Sequence, residues 1–156
     1  MDKAHPPESF GVFSPVGHSV LAFRSATDLE AAATALGEAG FAADTLTRYT
    51  PQEMAAQADA DLRSASPMAS LGQDLNLVKA HRDLARQGCS FLVVVTPDDE
   101  HARRVADLAV STGAVSAQRY GRFIVEELVD RRPGEAQSFE SPARGLDVDD
   151  KGTAAS

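Results

Sequence analysis

Arginine and tyrosine stand side by side at two corresponding places in this chain, and they offer more chemistry than any other motif. Arg48-Tyr49 ends one predicted strand, Arg119-Tyr120 lies in another, and Arg122 follows two residues later. A guanidinium can donate two parallel hydrogen bonds to a carboxylate. Arg48, Arg119, Tyr120 and Arg122 are therefore the candidate residues for binding a carboxylate ligand or the acidic edge of a partner. The alternative, which we favour, is that these arginines protect an edge strand from aggregation or pair with acids of the same chain.

The histidines do not form a metal-binding motif. No two of them lie four residues apart, and the chain has no Cys-x-x-Cys sequence. We expect no metal and no cofactor, and we expect the histidines to be exposed to solvent. The four are His5, His18, His81 and His101.

No residue is assigned a catalytic role. Cys89 follows Gly88 at a predicted helix C-terminus, where the negative end of the helix dipole disfavours a thiolate. We expect this thiol to be a packing residue. Neighbouring acids on a strand point to opposite faces and do not act as an acid–base pair, and helix capping or solvation accounts for the others. The neighbouring acids are Asp98-Asp99, Glu126-Glu127 and Asp149-Asp150. No glycine-rich phosphate loop joins a strand to a helix.

The two Arg-Tyr pairs belong to a unit that is written twice. Residues 25–49 and 96–120 each read as a capped helix, a glycine and a strand, and an apolar strand precedes each of them. Two such β-α-β units in one small domain predict a ferredoxin-like α+β fold. We expect a four-stranded sheet with helices mainly on one face. Residues 91–95 have no polar alternation, which predicts a central strand that is covered on both faces.

Helix starts are marked by hydroxyl residues. Thr27 and Glu30 have the spacing of a capping box, as do Thr50 and Glu53. Thr96 precedes a proline as Thr50 does, so we expect it to begin the third of these helices in the same way.

The chain divides into an arm, a domain and a tail. We predict a flexible N-terminal arm over residues 1–16 and a single domain over residues 17–130. Within the domain, a two-helix insertion occupies about residues 51–88, and one long last strand occupies about residues 115–128. Residues 131–156 lose the apolar pattern and are expected to be disordered.

Composition restricts the function. The 156 residues carry a formal net charge of -8, which disfavours nucleic-acid and membrane-surface binding. A single cysteine fits a reducing compartment, and we see no signal peptide and no apolar run long enough to span a bilayer. We expect a soluble cytoplasmic protein.

From about residue 19 to residue 128 the chain resembles the small bacterial general-stress domains of the heat-induced stress protein type. The shared features are a helix ending in Ala39-Gly40-Phe41, a strand that follows Gly88 and leads into an acid-rich helix start ending at Glu100, and a helix ending in Gly113-Ala114. The resemblance implies a stress-linked role and supplies no catalytic residues. The chain departs from many relatives because residues 54–84, which hold only one glycine, lack their glycine-rich, membrane-seeking segment.

Three functional hypotheses follow. The first is a non-enzymatic cytoplasmic domain, stress-linked or regulatory, that acts through protein contacts. The second is a small-ligand sensor that binds an effector at the sheet face of a dimer. The third is a dimeric ferredoxin-like barrel enzyme with His81 or His18 as its base. An open sheet face needs a cover, so we expect either the inserted helices or a second copy of the chain to supply it, and a homodimer is the expected assembly.

Overall fold

The fold is described by a computed structural model that covers residues 1–9, 12–65, 74–121 and 125–130. The predicted tail of residues 131–156 lies outside these described residues. The elements run along the chain as β1 (Glu8–Ser9), β2 (Val12–Phe13), β3 (His18–Phe23), α1 (Ala26–Glu38), a single 3-10 turn (Ala43–Thr45), β4 (Leu46–Tyr49), α2 (Pro51–Ser64), α3 (Asp74–Arg86), β5 (Ser90–Val95), α4 (Asp99–Ser111), β6 (Ser116–Tyr120) and β7 (Val125–Asp130).

The main sheet is antiparallel and has the spatial order β4-β5-β3-β6-β7. The central strand β3 pairs with β5 on one side, from His18 opposite Val95 to Phe23 opposite Ser90. It pairs with β6 on its other side, and β4 pairs with the outer edge of β5. The predicted α+β class is therefore confirmed, and the four strands of the two repeated units all lie in one sheet.

The last strand predicted from the sequence is two strands. β6 ends at Tyr120, and β7 returns antiparallel beside it with Val125 opposite Tyr120 and Val129 opposite Ala117. β7 thus adds a fifth strand at the sheet edge. The prediction of one long strand is wrong because apolar alternation has the same period in one extended strand and in the two arms of a hairpin.

Helices cover both faces of the sheet, which corrects the expectation of helices mainly on one face. Side chains of a strand alternate between faces. Leu21 and Leu92 therefore share one buried cluster with apolar residues of α1 and α4. Val20 and Val93 share another with apolar residues of α2 and α3. The uninterrupted apolar run of β5 reflects this double coverage, as the sequence predicted for this strand.

Helix starts follow the prediction in one case of three. Thr50 and Glu53 form the predicted capping box of α2. The cap of α1 is Ser25 and not Thr27, because the extended backbone ends at Ser25 and its hydroxyl accepts from the Asp28 amide at 3.1 Å. The cap of α4 is Asp98. The Thr96 side chain is instead buried, with its hydroxyl 3.1 Å from that of Ser19.

Three helices end in the same way, with a glycine in the left-handed region. At the end of α1, Gly40 has φ 101°, and the Phe41 amide bonds to the Leu36 carbonyl at 3.0 Å. The Gly40 amide also donates to the Gly37 carbonyl at 3.1 Å, and these two hydrogen bonds together form the Schellman motif. It turns the chain sharply and returns Phe41 onto the helix that it has just left.

The N-terminal segment, expected to be a flexible arm, contacts the helix-covered face that α2 and α3 share. β1 and β2 form a short hairpin. Phe13 is 2% exposed, and its ring meets the rings of Tyr49 and Tyr120 edge to face at 6.0 and 6.2 Å. Lys3 donates to Glu53 and to the Arg48 carbonyl. These contacts make the segment part of the packed structure.

Candidate functional site

The predicted Arg-Tyr set does not converge on one surface. Tyr120 belongs to the buried cluster beneath α2 and α3, and Arg119, its neighbour on β6, points to the opposite face. The same alternation separates Arg48 from Tyr49. Arg48 and Arg119 share a face, but β4 and β6 are three strand spacings apart, or roughly 14 Å. Arg122 lies outside the described residues.

Both described arginines of this set are paired with acids of the chain. Arg48 binds Glu30 of α1 through two hydrogen bonds, at 2.7 Å from Nε and 3.0 Å from a terminal nitrogen. This pairing raises the pKa of Arg48 and lowers the pKa of Glu30. Arg119 pairs with Asp99 in the first turn of α4. The alternative noted from the sequence, arginines paired with acids of the same chain, describes both residues.

The two tyrosines are core residues. Tyr49 and Tyr120 are 3% and 1% exposed. The Tyr49 hydroxyl is buried without a hydrogen-bond partner in the described part of the chain. Burial, together with the nearby carboxylates of Glu53 and Asp61, raises the pKa of Tyr49 to about 12. Neither ring is presented to solvent as a binding surface.

His81, one of the two bases named for an enzyme, is sealed between α3 and the sheet. It is 2% exposed, and its Nε2 lies 2.8 Å from Gln118 Oε1. Burial lowers the pKa of His81 to about 4. The expectation of an exposed histidine is therefore wrong at this position. The other named base, His18, lies with Nδ1 3.0 Å from the Val16 carbonyl.

A pocket of about 290 Å³ lies where the turn after α1 meets the beginning of α4. We call it the edge pocket, because it lies beside β4 at the edge of the sheet. Its volume is close to the lower limit of the range typical of small-molecule sites. The edge pocket is lined by Gly40, Phe41, Ala42, Thr45, Val95, Pro97, His101 and Arg104.

Local folding signals place the walls of the edge pocket. Gly40 reverses the chain after α1 and so brings Phe41 to the wall formed by the turn. β5 ends at Val95, and Pro97 lies in the short connection to α4. The opposite wall carries His101 and Arg104, which are three residues apart and thus neighbours on one face of α4.

Arg104 is fixed by neutral partners. One of its terminal nitrogens donates to the Ala39 carbonyl at 2.7 Å, and its guanidinium lies 5.2 Å from the centre of the Phe41 ring. The carbonyl belongs to the negative end of the α1 dipole, and the ring face is negative as well. Both contacts orient the cation without neutralising it with a carboxylate.

His101 is oriented by the helix cap. Its Nδ1 lies 2.7 Å from Asp98 Oδ1, and its ring meets the Phe41 ring edge to face at 6.0 Å. Hydrogen bonds from the amide and ring of His101 lower the pKa of Asp98. An ionised Asp98 can only accept, so Nδ1 carries the proton and Nε2 is the other polar atom of the ring.

The sequence predicted the helix end and the helix start that form these walls, but it did not predict that the two come together. The Ala39-Gly40-Phe41 ending was visible as a helix terminus. The sequence does not point to Arg104 or His101 as site residues, because neither belongs to a motif and the turn that meets them lies about 60 residues earlier in the chain. The one available signal was the spacing of Asp98 and His101 at the start of a helix.

Other chemistry is not assembled in the described part of the chain. Within it, no three side chains of histidine, cysteine, aspartate or glutamate form a group that could hold a metal ion. No described helix has both the length and the apolar character needed to cross a bilayer. Cys89 is 1% exposed, and burial raises the pKa of its thiol, as the sequence predicted for a packing residue.

No known family model, curated protein or solved structure matches this chain.

Proposed function

We propose that this chain is a non-enzymatic regulatory domain that binds a small ligand in the edge pocket. The observation that carries the proposal is the arrangement of His101 and Arg104 opposite the apolar surfaces of Phe41, Val95 and Pro97. Small-molecule sites typically combine a concave apolar lining with a few polar groups that fix orientation. This proposal keeps the hypothesis of a small-ligand sensor. It places the binding site in the edge pocket and not at the sheet face that carries the Arg-Tyr pairs.

We further propose a ferredoxin-like arrangement with a two-helix insertion. In support, the strands β3, β4, β5 and β6 are the first to fourth strands of the repeated units, and their spatial order is fourth, first, third, second. α2 and α3 lie between the two units in the chain. β7 extends this arrangement at one edge.

Action through protein contacts, the first hypothesis from the sequence, has less support. Both sheet faces are covered by helices. Val16, at 47%, is the one large apolar side chain that is well exposed among the described residues. The edge strand β4 is four residues long and carries Arg48, features that discourage pairing with another strand. A protein partner would have to be recognised through polar surface.

The barrel-enzyme hypothesis also has less support. A dimeric barrel needs an open sheet face, and α2 and α3 occupy that face here. His81 lies beneath them, bonded to Gln118 and kept neutral by burial. A base at this position has no described path to a substrate. The stress-linked role, the cytoplasmic location and the homodimer stay predictions.

A ligand screen with two matched variants tests the proposed site. Ala42 lines the edge pocket and is exposed, so Ala42→Trp should fill the pocket without disturbing the core. Ala43→Trp places the same indole one residue further on, outside the lining. We expect a metabolite library to contain a compound that raises the melting temperature of the wild type and of Ala43→Trp but not of Ala42→Trp.

Two results would contradict the proposal. A compound that stabilises all three proteins equally binds elsewhere. A broad library in which no compound stabilises the wild type would argue against ligand sensing altogether.

A further inference from the structure

We propose that the ligand of the edge pocket is a small carboxylate, bound through its carboxyl group by Arg104. This inference rests on the proposed function and adds the chemical class of the ligand. Its first support is the charge of the lining, which contains one arginine, one histidine and no acid. The chain as a whole has 23 aspartates and glutamates against 15 lysines and arginines, so the edge pocket has the opposite charge character to the protein.

The second support is that Arg104 has no carboxylate partner among the described residues. Lys3, Arg48, Arg86 and Arg119 do have one. Arg104 shares the lack of one with exposed cations such as Arg24 and Arg103 but, unlike them, lines the edge pocket. Arg104 contacts a carbonyl and an aromatic ring instead. Acids outnumber basic residues in this chain, so a cation held in a concavity by neutral partners is an unused site for an anion.

The third support is the state of the nearby acids. Asp98 accepts from the amide and the ring of His101, and Asp99 pairs with Arg119. These contacts direct both carboxylates to partners other than Arg104. Arg119 balances the charge of Asp99. Glu100, four residues before Arg104 on α4, makes no ion pair with it in the described part of the chain.

The geometry of Arg104 suits a carboxylate. A guanidinium has five N–H donors, and the Ala39 carbonyl accepts from one terminal nitrogen. The second N–H of that nitrogen and a parallel N–H of a neighbouring nitrogen can donate to both oxygens of a carboxylate side by side. The contacts with Ala39 and Phe41 hold the plane of the guanidinium in advance, which reduces the entropy lost on binding.

A phosphate is a poorer match. Phosphate sites at helix N-termini rely on free amides and the positive dipole end. At α4 this position is already occupied by the Asp98 side chain, which caps the helix, and by Asp99 and Glu100 in the first turn. One guanidinium beside an apolar wall fits a monoanion with a compact apolar body better than a dianion.

Matched probes test the chemical class. Benzoate and isobutyrate are compared with their neutral amides, benzamide and isobutyramide, and with inorganic phosphate, by titration followed with NMR of the full chain. We expect the carboxylates to shift the signals of Phe41, Thr45 and His101, and to bind at least tenfold more tightly than the amides. Ala42→Trp should abolish these shifts, and Ala43→Trp should retain them.

Variants of Arg104 test the named residue. Arg104→Gln should weaken carboxylate binding by roughly tenfold to a hundredfold, the loss typical of a hydrogen bond to a charged group. Arg104→Lys keeps the charge but loses the fork, so intermediate binding is expected. A melting temperature for each variant separates loss of binding from loss of the folded state.

The possible failures are distinct. Equal binding of amides and carboxylates at the same residues overturns the carboxylate inference but supports a small-molecule site. Tighter binding of phosphate than of any carboxylate likewise overturns the class alone. If no probe shifts an edge-pocket residue and the metabolite screen is also empty, both proposals are wrong.

Discussion

The buried pair of His81 and Gln118 links folding to pH. The pKa of His81 falls from an ordinary 6.5 to about 4 because the folded protein excludes water from the ring. Between these two values the unfolded chain binds a proton that the folded chain does not. Stability is therefore complete above about pH 6.5 and is lost as the pH falls towards 4. We expect His81 to account for a loss of roughly 2 kcal/mol between about pH 7 and about pH 5.

Urea unfolding at these two pH values measures this loss. Other groups titrate in the same interval, so His81→Leu serves as the reference that lacks the buried base. The variant also leaves Gln118 without its histidine partner, but that cost is present at both pH values. If wild type and variant lose equal stability on acidification, His81 is not the source of the pH dependence.

Asp61 is a buried carboxylate without a cation partner among its described contacts. It accepts from the Phe13 amide at 3.1 Å and from Gln57 at 2.9 Å, and burial raises its pKa. A raised pKa favours folding at low pH, and this benefit is lost as the pH rises through the folded value. At neutral pH the burial of the Asp61 carboxylate therefore lowers the free energy of unfolding.

Two substitutions of Asp61 should have opposite effects at neutral pH. Asp61→Asn keeps an acceptor for Phe13 and removes the buried charge, so we expect no loss of unfolding free energy, or a gain. Asp61→Ala leaves the Phe13 amide buried without a partner, which should cost about 1–3 kcal/mol. Urea unfolding measures both. An Asn variant as unstable as the Ala variant would show that the charge itself stabilises the fold.

Single residues also show which features of the site cannot be predicted from the sequence. The chemistry of Arg48 and Arg119 makes them candidates for ligand binding, yet each has an acid partner on a helix, at Glu30 and Asp99. Neither partner was visible from spacing, since the contacts join residues 18 and 20 positions apart. No sequence pattern marks Arg104, although its neutral partners leave its charge available to a ligand. Pairing depends on the tertiary structure, which a linear pattern does not contain.

At the scale of elements, glycines predicted the ends of helices more reliably than hydroxyl residues predicted their starts. The glycines after α1, α3 and α4 end their helices as predicted, because few other residues adopt a positive φ without strain. The caps Ser25 and Asp98 lay within two residues of the predicted Thr27 and Thr96. Serine, threonine and aspartate can all cap a helix, so adjacent candidates compete and the sequence does not choose between them.

The N-terminal hairpin was not predictable from the sequence either. Its strands are only two residues long, so the segment reads as a flexible arm. Phe13 nevertheless fills the space between the Tyr49 and Tyr120 rings. We expect Phe13→Ala to lower the free energy of unfolding by about 3–5 kcal/mol, the cost of removing a buried ring. Val16→Ala, three residues further along and 47% exposed in the parent, is the matched control and should change stability little. A Phe13 variant as stable as this control would mean that the hairpin does not contribute to the fold.

For the whole molecule, the sequence predicted the strands of the sheet better than the helices that cover its two faces. The twofold β-α-β pattern located four strands, and the uniform apolar character of β5 indicated cover on both faces. What remained open was the source of the second layer, the inserted helices or another copy of the chain. α2 and α3 provide it, which removes the open sheet face as an argument for a homodimer.

The net charge of -8 should also affect the stability of the whole molecule. Acids repel one another over the surface, and salt screens this repulsion within about 10 Å at 0.1 M ionic strength. The surface ion pairs, such as Arg48–Glu30 and Lys3–Glu53, are also weakened by salt, but exposed pairs contribute little to stability. We therefore expect added NaCl to raise the melting temperature by about 2–4 °C, equivalent to about 1 kcal/mol.

KCl and NaBr at the same ionic strength should raise the melting temperature equally, because screening depends on ionic strength and not on the identity of the ion. A melting temperature that falls with salt would show that the ion pairs outweigh the repulsion.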